Sequence, residues 1–325
     1  MIAGQDKAVE QFLGAWNSGA MHHAWLLAGP SGVGKARFAL DAAERVLAEA
    51  AGPPVEAPGL DVPEDHPVGR LVRAGSHPDF RLLERIENKS GTALARSISV
   101  AQVRALGDLF DMTPALSPWR AVVIDSVDEL EKSAANALLK MLEEPPANCL
   151  FLLVSHVPGR LLPTIRSRCR RLEFHPLDDD AMTSVLEREL PELGSADRVR
   201  LLPLARGSVG RALAYAALDL APLEEQALAI LRQGDRDNAR RSKLASALGA
   251  KAAADRYAAF LDLAPGLIAN EARQLEGPAR RRALDAYARA RETSRLAPRL
   301  SLDPAATVFQ LGSILASVAP QGTPR

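Results

Sequence analysis

Four short runs in the first half of the chain are rich in aliphatic or β-branched residues: "AWLLAG" from Ala24, "DFRLLE" from Asp79, "RAVVID" from Arg120 and "CLFLLVS" from Cys149. Each is too short for a buried helix, and an apolar run such as "AWLLA" or "CLFLLV" is what a strand covered on both faces requires. Amphipathic stretches separate them, among them "ARFALDAAERVLAEA" from Ala36 and "AANALLKMLEE" from Ala134. That alternation predicts an α/β fold, a parallel sheet with helices on both faces. For the second of these helices the pattern predicts Ser133 as N-cap, Ala137, Leu138, Met141 and Leu142 as the apolar face, and Pro145–Pro146 as the stop.

Near residue 175 the texture changes. "DDDAMTSVLEREL" opens with acids suited to a helix N-terminus and sets Met182, Val185, Leu186 and Leu190 at helical spacing. From about Leu220 to Ala319 the chain is rich in Ala, Leu and Arg, which predicts an all-helical C-terminal domain. Three segments follow: an α/β core over 1–174, a small helical segment over 175–217 and a helical domain over 218–325. Residues 51–69, "AGPPVEAPGLDVPEDHPVG", read as a surface loop, and the tail "APQGTPR" is expected to fray.

At 325 residues the chain exceeds the size of a single core, and 47% hydrophobic with 25% charged residues is globular composition. No run approaches the eighteen or so apolar residues of a membrane span. The opening "MIAGQDKAVEQF" lacks the apolar core of a secretory signal, so a cytoplasmic location is expected. The formal charge is +0, so any DNA contact has to be local or made by partners. Arginine far outnumbers lysine, 33 to 7, which reads as compositional bias. The two cysteines, Cys149 and Cys169, are too few for a disulfide framework or a four-cysteine zinc site and read as reduced, buried small hydrophobes.

"GPSGVGK", Gly29–Lys35, matches the phosphate-loop pattern G-x-x-x-x-G-K and sits between a predicted strand and a predicted helix. In that setting glycines let backbone N–H groups close around phosphate, and the lysine reaches the outer phosphates. Gly29, Gly32, Gly34 and Lys35 are therefore the candidate phosphate ligands. The next position, where Ser or Thr would ligate magnesium, is Ala36, and Arg37 beyond it repels a cation. On the strand "RAVVID", Asp125 is the candidate metal-binding acid. Ser126 stands where a glutamate would polarise water, and its hydroxyl does not accept a proton near neutral pH. Asp128 and Glu129, three and four residues past Asp125, read as first-turn acids of the following helix, the alternative being that one of them rescues the missing base. Hydrolysis by this site is not expected. Two readings of the loop stay open: a helix cap that has lost nucleotide, or weak ATP or ADP binding without a normal magnesium site. His66 and His77 are a weak metal signal, and no metal site is expected.

"NALLKMLEEPP", Asn136–Pro146, and "SRC", Ser167–Cys169, together with "GQDKAVEQF" near the start and "SHPDFRLLE" from Ser76, resemble bacterial DNA polymerase III clamp-loader subunits of the AAA+ class. The resemblance covers roughly residues 1–215 by motif. It implies an AAA+ P-loop core, a helical lid over 175–217 and a collar or oligomerisation domain over 218–325. It also implies that Arg168 acts as an arginine finger in trans, aimed at ATP held by a neighbouring subunit, where a planar guanidinium suits developing phosphoryl charge. The plainer alternative for Arg168 is a pair with an acid of its own domain. By the same resemblance Ser155 is a sensor hydroxyl. Gly210 stands where motor subunits carry a sensor arginine, with Arg211 one step later on a different helix face. The zinc module of the motor subunits has no cysteine before Cys149 to build it.

These departures imply a non-hydrolysing subunit of a hetero-oligomer. Its expected partners are clamp-loader ATPase subunits and a delta subunit, with the sliding clamp and primer–template DNA met through the complex and no membrane. An alternative is an active clamp-loader ATPase with an unorthodox site. A third reading, a sequence-specific DNA-binding regulator, is kept open by the basic stretch "RRRALDAYARARETSR".

Overall fold

The computed structural model describes residues 2–87 and 95–320, so the last five residues of the tail expected to fray lie outside it. The four apolar runs form strands β1 (Ala24–Ala28), β2 (Phe80–Glu84), β3 (Arg120–Asp125) and β4 (Cys149–Ser155). With a fifth, β5 (Arg170–Glu173), they make one parallel sheet of order β2-β3-β4-β1-β5. β1 and β4 are buried along their whole length and β3 in all but Asp125, as continuous apolar runs demand. The edge strand β5 carries little apolar signal in the sequence, because Arg170, Arg171 and Glu173 surround a single buried Leu172; charges of this kind protect a sheet edge from further pairing.

Helices cover both faces. On one, α1 (Asp6–Asn17) and α2 (Lys35–Ala51) bring Phe12 to 5.4 Å from Trp25 and 5.8 Å from Phe38, ring centre to ring centre, in edge-on contacts. On the other, α4 (Val100–Arg104), α5 (Leu106–Asp111), α6 (Lys132–Glu143) and α7 (Pro163–Arg166) pack Val103, Leu106, Leu138 and Ile165 in one core with Leu26, Ile124 and Phe151.

Helix α6 starts earlier than its sequence suggests. Glu131, not Ser133, is the N-cap, because Ile98 bridges Leu130 and accepts the Glu131 N–H at 3.1 Å, holding the chain extended up to that point. The buried face is consequently Ala134, Leu138 and Leu142, with Ala137 and Met141 packed at its margin.

The Pro- and Gly-rich segment before α3 (Pro67–Arg73) is tied down by side chains that bond its carbonyls, Arg45 above all. Arg45 on α2 donates to the carbonyls of Ala57, Asp61 and Val55 at 2.7, 2.9 and 3.1 Å and pairs with Glu49. His66 faces the carbonyl of Pro53 and caps α3, and His77 accepts the Asp79 N–H, so both histidines serve local structure.

The chain divides into two compact units. The first comprises the described residues up to Arg188 together with 206–210, and the second 189–205 and 211 onward. In the first, α8 (Asp179–Glu189) buries Met182, Val185 and Leu186. The second is built from helices: α9 (Ser195–Ala205), the body of α10 (Val209–Ala217), α11 (Ala221–Gln233), α12 (Ala239–Gly249), α13 (Ala254–Gln274), α14 (Gly277–Arg299) and α15 (Pro304–Ala316). Its core gathers Ile230, Leu244, Phe260, Ile268, Ala286 and Leu311. Among the described residues no helix is long and apolar enough to cross a membrane.

Candidate functional site

Parallel register aligns the C-terminal ends of three strands, pairing Ala28 with Ser155 and Asp125 with Val154, and the candidate phosphate site lies there. The loop leaves β1 at Gly29, whose N–H donates to Ser155 O at 3.3 Å. A Cβ at Gly29 would stand 2.2 Å from Phe174 O, so the position admits only glycine. Gly32 has φ of +76°, and a Cβ there would meet Ser208 Oγ at 2.3 Å. Gly210 N–H donates to Gly32 O at 3.0 Å and Ser208 Oγ to Ser31 O at 3.1 Å, so residues 208–210 pack directly on the loop. Gly34 caps α2, and the helix N-terminus opens on the loop.

Lys35 is buried, 2% exposed, and its Nζ donates to Gly29 O at 2.7 Å and also to Pro30 O. Burial lowers its pKa to about 8, against the opposing pull of Asp125 and Asp128. The loop's backbone and the α2 N-terminus suit a phosphate group. The magnesium half of the site does not fit, since Ala36 offers no oxygen and Ser126 no carboxylate. Among the described residues no cluster of three or more His, Cys, Asp or Glu could hold a metal.

Asp128 does not act as a first-turn acid of α6. Its carboxylate accepts Ser155 Oγ at 2.8 Å, the His156 N–H, and the Val157 N–H at 3.3 Å, tying the turn after β3 to the end of β4. Glu129 turns to Arg85 at 2.8 Å. Ser155, the expected sensor hydroxyl, is wholly buried and spends its proton on Asp128. His156 also lies here, and its one signal in the sequence is its position directly after Ser155. Burial lowers its pKa, Lys35 nearby lowers it further, and Asp128 and Asp125 oppose both.

Arg168 lies at the opposite end of the sheet. It precedes β5, whose register sets Arg170 beside Trp25 near the start of β1, whereas the phosphate loop departs from the end of β1. Its Nη2 is 2.9 Å from Glu143 Oε1 and its Nη1 donates to Thr164 O at 3.0 Å. The pair with an acid of its own unit is thus present, and about a third of the arginine side chain remains exposed. Arg170 stacks over Trp25 at 4.9 Å, and Arg171 pairs with Glu173. Arg211 pairs with Asp262 at 2.6 Å within the second unit. Cys149 and Cys169 are free thiols, both pushed up to about 12 by burial.

The family model described as "DNA polymerase III, delta subunit" matches residues 4–178, more than half of the chain. The chain belongs to this family. A curated relative, the DNA polymerase III subunit delta' of Pseudomonas aeruginosa, is 37% identical over 190 residues, covering 57% of this chain and 53% of the relative. The DNA polymerase III subunit tau of Salmonella typhimurium is 31% identical over 231 residues, covering 70% of this chain and 33% of tau. Among solved structures, a DNA polymerase III gamma subunit-related protein of Thermotoga maritima aligns over 91% of this chain and 94% of its own, at 16% identity and a TM-score of 0.44. The chain spans about half the length of the delta prime relative. The stretch matched by the family model contains the phosphate loop, Asp125–Glu129, Ser155 and Arg168, and ends before α8.

Proposed function

We propose that this chain is a non-hydrolysing, delta prime-type subunit of a DNA polymerase III clamp loader, acting in DNA replication. In this reading it supplies Arg168 in trans to a neighbouring ATPase subunit while its own phosphate loop serves mainly as a structural turn. The observation that carries the reading is the separation of Arg168 from Lys35: they sit at opposite ends of a parallel sheet, so this arginine cannot serve this loop. Ala36, Ser126 and the commitment of Lys35 to Gly29 O and Pro30 O add support. The partners are then clamp-loader ATPase subunits and a delta subunit, and the sliding clamp and primer–template DNA are met through the assembly. Nucleotide binding, where it persists, is weak and independent of magnesium.

The test is steady-state ATP turnover by the purified chain, with Lys35→Ala as the contamination control. Equal rates are expected. Turnover that disappears with Lys35 would replace this reading with an active motor subunit. The second arm compares wild type and Arg168→Ala in a loader reconstituted with its ATPase subunits, where the variant is expected to lose clamp-dependent turnover.

A further inference from the structure

Helix α14 carries seven arginines and only two acids, Asp285 and Glu292, in a chain of formal charge +0. Its buried stripe is Ala283, Ala286, Ala290 and Ala297. At about 100° per residue, Arg280, Arg281, Arg291, Arg295 and Arg299 fall within a sector of about 100° clear of that stripe, with Glu292 and Asp285 about 20–40° beyond one edge of it. All five arginines are exposed. Among the described residues no carboxylate lies within ion-pairing distance of any of them. Among the described residues their only ring contact is that of Arg291, 5.8 Å over Tyr287.

A row of unpaired like charges about 29 Å long repels itself and has no role in packing, since the alanine stripe supplies the buried contacts. The occupant that suits it is an extended polyanion. Leu284, half exposed, is the single large apolar side chain in the sector, too little for the apolar centre of a protein interface. Guanidinium groups spaced along a rod match phosphates spaced along a groove edge. We propose that this arginine face of α14 docks the phosphate backbone of DNA without sequence preference. The surface is separate from the finger reading, and either can fail without the other.

The test uses the full chain and two fluorescein-labelled duplexes of about 25 base pairs and unrelated sequence, followed by anisotropy from 50 to 200 mM NaCl. Both duplexes are expected to bind equally, with affinity falling steeply with salt. The variant Arg281→Gln/Arg291→Gln/Arg295→Gln should bind at least about tenfold more weakly and flatten the log–log salt slope by about three. The corresponding triple Arg→Lys variant should retain most binding, and Arg70→Gln/Arg104→Gln, on the exposed surface of the first unit, should match wild type. Far-ultraviolet circular dichroism checks that the variants fold. Unchanged binding by the glutamine variant, or no wild-type binding at 50 mM salt, would overturn the proposal. So would tighter binding of poly-glutamate than of DNA, which would point to an acidic protein. A hundredfold preference for one duplex would overturn it in favour of a sequence-specific regulator.

Discussion

Arg168 Nη2 sits 2.9 Å from Glu143 Oε1, joining the end of α6 to the turn that precedes β5. The two motifs "NALLKMLEEPP" and "SRC" thus meet through one ion pair. Both side chains are a third or more exposed, so solvent screens the pair, which contributes at most about 1 kcal/mol. Glu143→Ala should therefore move the urea midpoint little and keep turnover of a reconstituted loader within about tenfold of wild type. On the proposed finger reading, Arg168→Ala should cost about a thousandfold in that turnover, and Arg168→Lys should not rescue it. Equal losses for Glu143→Ala and Arg168→Ala would make the arginine a structural tie.

Asp128 should matter more for stability than its neighbour Glu129. Asp128→Ala strands the wholly buried Ser155 hydroxyl and the His156 and Val157 amides, at a cost of about 2–3 kcal/mol. Glu129→Ala breaks a part-exposed pair with Arg85 and should cost less than about 1 kcal/mol. Urea denaturation of the two variants checks the order.

Asp79 holds the segment before β3. Its carboxylate accepts the N–H groups of Ala115, Leu116 and Ser117 at 2.8, 2.8 and 3.0 Å. Burial alone would raise its pKa, but these donors and His77 hold it below the usual carboxylate range. A depressed folded pKa gives stability that is present above about pH 4 and lost as pH falls through the folded value. Asp79→Asn turns an amide nitrogen toward N–H donors; it should lower stability at pH 7 by about 2–3 kcal/mol and weaken the acid-side decline. Urea midpoints between pH 3 and 7 measure both.

Glu44 works in the opposite sense. Burial raises its pKa to about 7 despite the Arg73 guanidinium against it. The folded chain then holds a proton that the unfolded chain releases, so stability falls as pH rises from about 4.5 to 7 and levels off above. The contribution is at most about 3 kcal/mol. Glu44→Gln should flatten stability across that window, and urea midpoints at pH 5, 6, 7 and 8 would show it. An unchanged slope would assign the effect to other groups.

Lys35→Met should leave nucleotide affinity almost unchanged, because the ammonium already rests on Gly29 O and Pro30 O. Magnesium should alter ATP affinity by less than about threefold, since Ala36 supplies no ligand. Isothermal titration with and without the metal tests both statements.

The amino-acid sequence alone determined the class of fold, the strands at its centre and the position of the phosphate loop. Central parallel strands must be apolar on both faces, and a glycine loop between strand and helix needs its residues in order along the chain. It also carried the missing chemistry, because Ala36 and Ser126 are absences of functional groups that no folding can restore. The edge strand β5, the start of α6 at Lys132 and the turning of Asp128 onto Ser155 were decided only in three dimensions. Each depends on a partner distant in sequence: Trp25 and Leu27 beside β5, Ile98 beside Leu130, and the end of β4 beside the turn after β3. The opposition of Arg168 and Lys35 across the sheet is likewise a property of strand register. A local pattern records which groups a segment offers, and only long-range packing selects which of them face each other.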